Sequence, residues 1–453
     1  MLRGGHFVGV ANEESLPSDC ICLIPSALLA RNMNAAVRFH PLNSSDSEPY
    51  SPDLVARADR GEPRAQFMVG VCYARGLGVA QDTHQALLWY RKAAEAGDSW
   101  AQCNLGLCHG RGIGVTHDGE EAVFWCRRAA DQGDALAQRS LGVAYEQGIG
   151  VEKNEQEAVR WYRKAAEQGY ADAQVCLGLC YEFGIGIPRD PHQAVVWYRK
   201  ASEQDETSAQ CRLGLCCAMG QGVTKDAVAA VRLFRKAADQ GDSSAQALLG
   251  TFYEEGWGIE KDECEAVRWY QEAADGGDAT AQCELAIRYQ LGKGVERDEK
   301  EAVRRFREAA AQGHVLAEIG LGYCYATGFG VEEDEVEAVR LYLSAAEKDD
   351  PLAQFQMGIC YDFGKGVEQN EYQAALWYQK AAQQGHAGAQ FHFGVCYMNG
   401  AGVDEDKEEA YRWFRKAAEQ GHPEALRILL PGETSTVRGY GVVHGSPAFW
   451  RPH

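Results

Sequence analysis

Two kinds of apolar pattern alternate along this chain, and the alternation repeats every 36 residues from Ala65 onward. In AQRSLGVAYEQ, from Ala137 to Gln147, small and apolar residues fall on nearly every side of a helical wheel, which predicts a helix packed on several faces. In EAVRWYRKAAEQG, from Glu157 to Gly169, Ala, Trp and Tyr recur at spacings of three and four with Glu, Arg and Lys opposite them. That pattern predicts an amphipathic helix with one buried stripe. The pair returns at Ala65, Ala101, Ala137, Ala173, Ala209, Ala245, Ala281, Ala317, Ala353 and Ala389 without insertion. Ten uninterrupted copies of a short two-helix unit are the mark of a solenoid, so positions are numbered 1 to 36 within each copy.

Local signals fix where each helix starts and stops. Position 18 is Asp or Asn in every copy, and position 21 is Glu or Gln in all but one, Ala229 being the exception. An N-cap acceptor answered by a carboxylate or amide at the third helical residue predicts a capping box and a helix start. Position 12 is always Gly, and position 33 is Gly except at Asp205 and Asp349, which predicts left-handed residues ending the two helices. The G-x-G at positions 12 to 14, as at Gly148 and Gly150, therefore reads as a hairpin turn. A phosphate-binding loop would follow a strand and occur once.

The periodic part defines the organisation. Full repeats span 65–424, and partial capping repeats extend the array to 51–430. Leu54 to Gly61 match the tail of a second helix, and Ala425 and Leu429 take positions 1 and 5 of an eleventh copy before Pro431 stops it. Half-repeats of this kind shield the open ends of an array. Residues 1–50 and 431–453 lack the period and are expected to be flexible.

Charge and composition narrow the function. With 45 Lys plus Arg against 65 Asp plus Glu, the net charge of −20 argues against nucleic acid, whose phosphates need cations. No run of 18 apolar residues predicts a membrane span, and CICLIPSALLA at 20–30 is short and follows the acidic NEES, so no signal peptide is expected. Seven of the sixteen cysteines share position 8: Cys72, Cys108, Cys180, Cys216, Cys324, Cys360 and Cys396. Equivalent positions in packed repeats lie about 10 Å apart, too far for a disulfide, which predicts small buried thiols, a reduced state and a cytoplasmic location. Cys176, Cys180, Cys211, Cys216 and Cys217 lack C-x-x-C spacing, so no metal site is expected, and His392 and the other histidines are expected singly at the surface or in the groove. G-x-S-x-G, H-E-x-x-H and a Walker loop are absent, and neither a catalytic constellation nor a cofactor is predicted.

The segments Gly148 to Val151, Ala158 to Tyr162 and Lys164 to Gly169 resemble the turn, A-x-x-W-Y and K-A-A-x-x-G elements of the Sel-1-like repeat, a relative of the tetratricopeptide repeat. The resemblance covers 65–424 and implies an all-α, right-handed superhelical α/α solenoid. It also implies a scaffold or adaptor binding protein or peptide partners, in signalling or protein quality control. The competing class is an enzyme or regulatory subunit with an unrecognised hydrolytic site. Some relatives carry disulfides between the two helices of a repeat, but here the second helices offer only Cys126 and Cys264, at different positions.

Positions 3, 4, 10 and 11 of the first helices vary enough in polarity to face an open surface. By the same resemblance first helices line the concave face, and position 11 with neighbouring position 10 is the most informative. The candidate binding residues are Glu182, Phe183, Met219, Glu254, Glu255, Leu291, Asp362 and Phe363, an acidic groove with apolar anchors suited to a basic or mixed-charge segment. Trp257 and Phe329, at position 13, are further candidates for the same surface.

Overall fold

The helices begin where the capping residues stand. In the computed structural model, which describes residues 49–429, all regular structure among those residues is α-helical. The chain divides into two compact units, one up to Gly276 and one from Gly277, and each is described by itself. The first holds α1 (Pro52–Asp59), α2 (Pro63–Arg75), α3 (Thr83–Glu95), α4 (Ser99–Arg111), α5 (Gly119–Asp131), α6 (Ala135–Gln147), α7 (Glu155–Glu167), α8 (Ala171–Phe183), α9 (Pro191–Ser202), α10 (Thr207–Met219), α11 (Ala227–Ala238), α12 (Ser243–Glu255) and α13 (Glu263–Asp275). The second holds α14 (Ala279–Leu291), α15 (Glu299–Ala311), α16 (Val315–Thr327), α17 (Glu335–Glu347), α18 (Pro351–Phe363), α19 (Glu371–Gln383), α20 (Ala387–Asn399), α21 (Lys407–Glu419) and α22 (Pro423–Leu429). Within each unit every helix packs on its neighbours in sequence, as a repeat solenoid requires.

Each position 18 side chain accepts the backbone N–H three residues on, for example Asp82 from Gln85 at 3.0 Å and Asn154 from Glu157 at 3.0 Å. The other half of the predicted capping box takes a different form. The cap's own N–H donates to the carbonyl of position 9, as Asn154 does to Tyr145 at 2.8 Å, which ties the second helix to the first. The carboxylate at position 21 is thereby released and pairs with the next turn: Glu337 with Arg340 at 2.6 Å and Glu409 with Arg412 at 2.9 Å. Seven of the ten first helices carry side-chain caps of their own at position 34, where Asp134 accepts from Ala137 at 2.8 Å and the His386 Nδ1 accepts from Ala389 at 3.0 Å. Asp205 and Asp349, standing where other copies have Gly, adopt the same left-handed backbone, with φ of 63° and 65°.

Two glycines per repeat set how closely the helices approach. A Cβ on Gly178, in α8, would lie 2.5 Å from the ring of Tyr198, so the absence of a side chain there admits the buried aromatic of position 26. Repeat seven has Ala286 at this position, and its aromatic, Phe306, lies instead against Gly320, where a Cβ would be 2.6 Å away. The second turn glycine serves contact between repeats: a Cβ on Gly186 would lie 2.3 Å from the Glu155 carbonyl oxygen, and its φ is +66°.

A ladder of amides runs through the buried layer. In six repeats the Gln at position 2 donates to a carbonyl at the end of the preceding repeat, as Gln174 does to Ala166 at 3.2 Å. In seven repeats its oxygen accepts from a Gln at position 32, as Gln174 does from Gln204 at 2.9 Å. Repeat eight replaces the pair by Glu318 and Lys348, joined at 2.8 Å. In repeat eight both partners change together, and the charge-paired contact fills the same place. In repeats one and six Ala96 and Gly276 stand at position 32, and the Gln66 oxygen is buried without a partner.

Candidate binding surface on the first helices

Positions 10 and 11 lie at the ends of the first helices, beside the turns, and their side chains go opposite ways. At position 10 the acidic residues turn inward onto the tyrosine of position 26. Glu182, 8% exposed, accepts the Tyr198 hydroxyl at 2.5 Å, and its other contact is the Arg212 Nη1 at 3.8 Å. Glu254 accepts from Tyr270 at 3.2 Å and Asp362 from Tyr378 at 3.0 Å. Burial, against the pull of the Tyr378 bond, holds the Asp362 carboxyl above the ordinary carboxylate range. These acids therefore satisfy buried hydroxyls. At position 11 the apolar residues face outward: Phe183 is 40% exposed, Leu291 44% and Phe363 43%.

The eight predicted residues divide between the units. Glu182, Phe183, Met219, Glu254 and Glu255 belong to the first, and Leu291, Asp362 and Phe363 to the second. Met219 is half-buried against the core of its unit, while Glu255 is exposed. The two position 13 aromatics are packed. Trp257 meets Phe252 edge-on at 5.5 Å, and Phe329 joins the core of α14 to α17 with the Arg297 guanidinium 5.3 Å from its ring.

The residues also group in ways that single-repeat reasoning misses. Arg212, on α10, is 2% exposed and lies against Phe183, its Cζ 5.8 Å from the ring. The Arg111 guanidinium is pulled down by burial and by the nearby Arg139. The signal that could have found the position 10 bonds is in the sequence. All four copies with an acid there, Glu146, Glu182, Glu254 and Asp362, have Tyr at position 26, whereas Ala218, Gln290 and Met398 go with Phe234, Phe306 and Phe414.

The repeating unit matches a known family. Ten consecutive segments between residues 63 and 422, the first 63–98 and the last 387–422, match the Sel1 repeat. The chain belongs to the Sel1 repeat family. Its fold is similar to that of a protective antigen of uropathogenic Escherichia coli strains that displays an SLR fold, at 36% identity and a TM-score of 0.64, over 83% of this chain and 83% of that one. It is also similar to a Sel1 repeat protein from Oxalobacter formigenes, at 34% identity and a TM-score of 0.50, over 69% of this chain and 92% of that one. No curated protein matches. Sel1 repeats generally act as protein–protein interaction scaffolds, and the solenoid they build is typically not catalytic.

The chemistry of these Sel1 repeats is that of packing. None of the fourteen described cysteines is held in a disulfide, and the seven at position 8 are buried; Cys20 and Cys22 lie outside the described residues. Burial pushes the thiols of Cys108, Cys216, Cys324, Cys360 and Cys396 up to about 12, so at neutral pH they are protonated and not nucleophilic. Among the described residues no group of three or more His, Cys, Asp or Glu could hold a metal ion, and no helix is long and apolar enough to cross a membrane.

His84, His117 and His192 are exposed, as expected of histidines at the surface or in the groove, but three others depart from that expectation. His386, His392 and His422 gather at the end of the second unit among Phe355, Tyr378 and Phe391, with His392 5.1 Å from Tyr378 and His422 stacked 4.7 Å from Phe391. Burial first, and the neighbouring histidines second, lower His386 and His392 to about 4. Each sits neutral in an aromatic layer.

Proposed function

We propose that this Sel1 repeat protein is an adaptor that holds partner proteins along the face carrying positions 10 and 11 of its first helices, the concave face in helical-hairpin solenoids. The observation that carries the reading is the repeated outward aromatic or aliphatic side chain at position 11, seen at Phe183, Leu291 and Phe363, which the packed interior does not use. Exposed apolar side chains recurring at one repeat position offer anchors of the kind that dominate binding energy. Met219 adds a half-buried anchor and Glu255 an exposed charge, while Glu182, Glu254 and Asp362 stiffen the surface by bonding the tyrosines beneath it. Such an adaptor suits signalling or protein quality control. The buried thiols, none of them in a disulfide, favour a reducing, cytoplasmic compartment.

Affinity capture with the wild-type chain beside a Phe183→Ala, Phe363→Ala double variant tests the reading. Partners lost from a folded double variant support it. Partners held equally by both proteins would move the binding surface elsewhere.

A further inference from the structure

Position 4 of the first helices in the first unit is Met68, Asn104, Ser140, Cys176, Arg212 and Leu248. The arginine is the largest fully buried side chain described in the molecule. Its Nη1 makes the long contact with Glu182, but Nε and Nη2 are buried and have no hydrogen-bond partner. Those two nitrogens share one edge of the guanidinium plane, and elsewhere in this protein that edge grips a carboxylate. Arg57 places Nε and Nη2 on the two oxygens of Glu62 at 2.8 and 2.8 Å, and Arg340 does the same to Glu337 at 2.8 and 2.6 Å. The other deeply buried arginines, Arg288 and Arg305, are each paired with carboxylates on their own helices. Arg212 thus keeps its strongest recognition edge unmatched in a low-dielectric setting, where a charged group with unfilled donors is costly.

The nearest acid does not fill the edge. Glu182 is held by the Tyr198 hydroxyl at 2.5 Å, and its contact with Arg212 is a single one at 3.8 Å. The exposed side chain lying against the guanidinium is Phe183, whose ring turns about two torsions without disturbing the backbone.

We propose that Arg212 receives the side-chain carboxylate of an Asp or Glu in a partner protein segment, reached when the Phe183 ring swings aside and packs on an apolar residue next to that acid. Phe183, on the preceding repeat, lies over the guanidinium, and Met219, on the same helix two turns from Arg212, packs against the core of the unit. The fitting ligand is a segment crossing the repeats with its acid between apolar residues, rather than a chain end. The partner chemistry is locally acidic, although the chain carries a net charge of −20. The proposal rests on the reading of the first-helix face as the binding surface.

Panning a random heptapeptide display library separately on full-length wild type, Arg212→Met, Arg212→Lys and the Phe183→Ala, Phe363→Ala double variant tests it. Wild type is expected to enrich peptides with one fixed Asp or Glu beside apolar residues. A synthetic peptide of that consensus, blocked at both ends, should bind at least tenfold more weakly to either Arg212 variant. Its Glu→Gln form should lose about tenfold on wild type and nothing further on Arg212→Met. Lysine keeps the charge without the fork, so it controls for misfolding, as does a circular-dichroism melt of each variant. Peptides without an acid that still need Phe183 and Phe363 would overturn the carboxylate site and leave the binding surface standing. Peptides kept by all variants would overturn both. An acid requirement met only by a free C-terminus, or no enrichment on wild type over Arg212→Met, would also overturn the site.

Discussion

Replacing Tyr378 by Phe tests whether the acids of position 10 serve the tyrosines beneath them. The hydroxyl donates to Asp362 at 3.0 Å from a fully buried ring, so Tyr378→Phe strips a half-buried carboxylate of its donor. A hydrogen bond to a charged group contributes about 1.5–3 kcal/mol, and the partial exposure of Asp362 lowers the expected loss to about 1–2 kcal/mol. Asp362→Ala leaves the hydroxyl buried without an acceptor and should cost about 2 kcal/mol. The double variant removes donor and acceptor together and recreates the Ala218 with Phe234 pair that repeat five already uses, so its cost should be about 1 kcal/mol. The coupling is then about 2–3 kcal/mol. Native-state hydrogen exchange on peptides from α18 and α19 reads the local free energy without requiring the whole array to unfold at once. The Asp362 carboxyl titrates above its ordinary range in the fold, so its protonation on acidification favours the folded state. The penalty of Tyr378→Phe should therefore shrink as pH falls, since a neutral acid no longer misses its donor. A double variant that loses the sum of the two single costs would refute the reasoning.

Three further outcomes follow from the packing. His386 and His392 have folded values near 4, below the unfolded value near 6.5, so the unfolded chain takes up protons first and stability should fall between those limits. The loss should be at most about 1.4 kcal/mol per pH unit for each histidine; His392→Phe should melt with a shallower pH dependence, and an unchanged slope counts against the aromatic layer as its cause. Gly178→Ala should cost about 1–3 kcal/mol by pushing a methyl into Tyr198, as read by urea denaturation, and a neutral result would contradict the tight approach of α8 to α9. In native alkylation followed by peptide mass spectrometry, exposed Cys264 should label at least tenfold faster than the buried position 8 thiols; equal rates would be inconsistent with their burial.

The fold was legible because each repeat writes its own punctuation. Asp or Asn at position 18 and Gly at positions 12 and 33 mark helix ends by local chemistry, and Asp205 and Asp349 take the left-handed turn at the position the period assigns them. The capping box was half legible. The sequence shows the Glu at position 21 but not the carbonyl of position 9, which comes from another helix and captures the cap's N–H first. The position 34 caps are equally local and could have been read, since Asp98, Asp134, Asp242, Asp278 and Asp350 stand before five of the ten first helices.

The binding surface was harder to read because the sign of a side chain says little about where it points. Counting acids at position 10 suggests a negative rim, yet three of the proposed acids hold tyrosine hydroxyls sixteen residues on. Reading the copies as pairs of columns, rather than one column at a time, exposes that bond, because the acid appears with Tyr and never with Phe. Arg212 escapes even that approach. Its column, position 4, varies from copy to copy, so no recurring pair singles out the arginine, and its burial follows from where α8 and α10 bring Phe183 and Glu182 together. A repeat array makes the shared structure readable through repetition, and for the same reason the feature most able to choose a partner is the one that departs from the pattern.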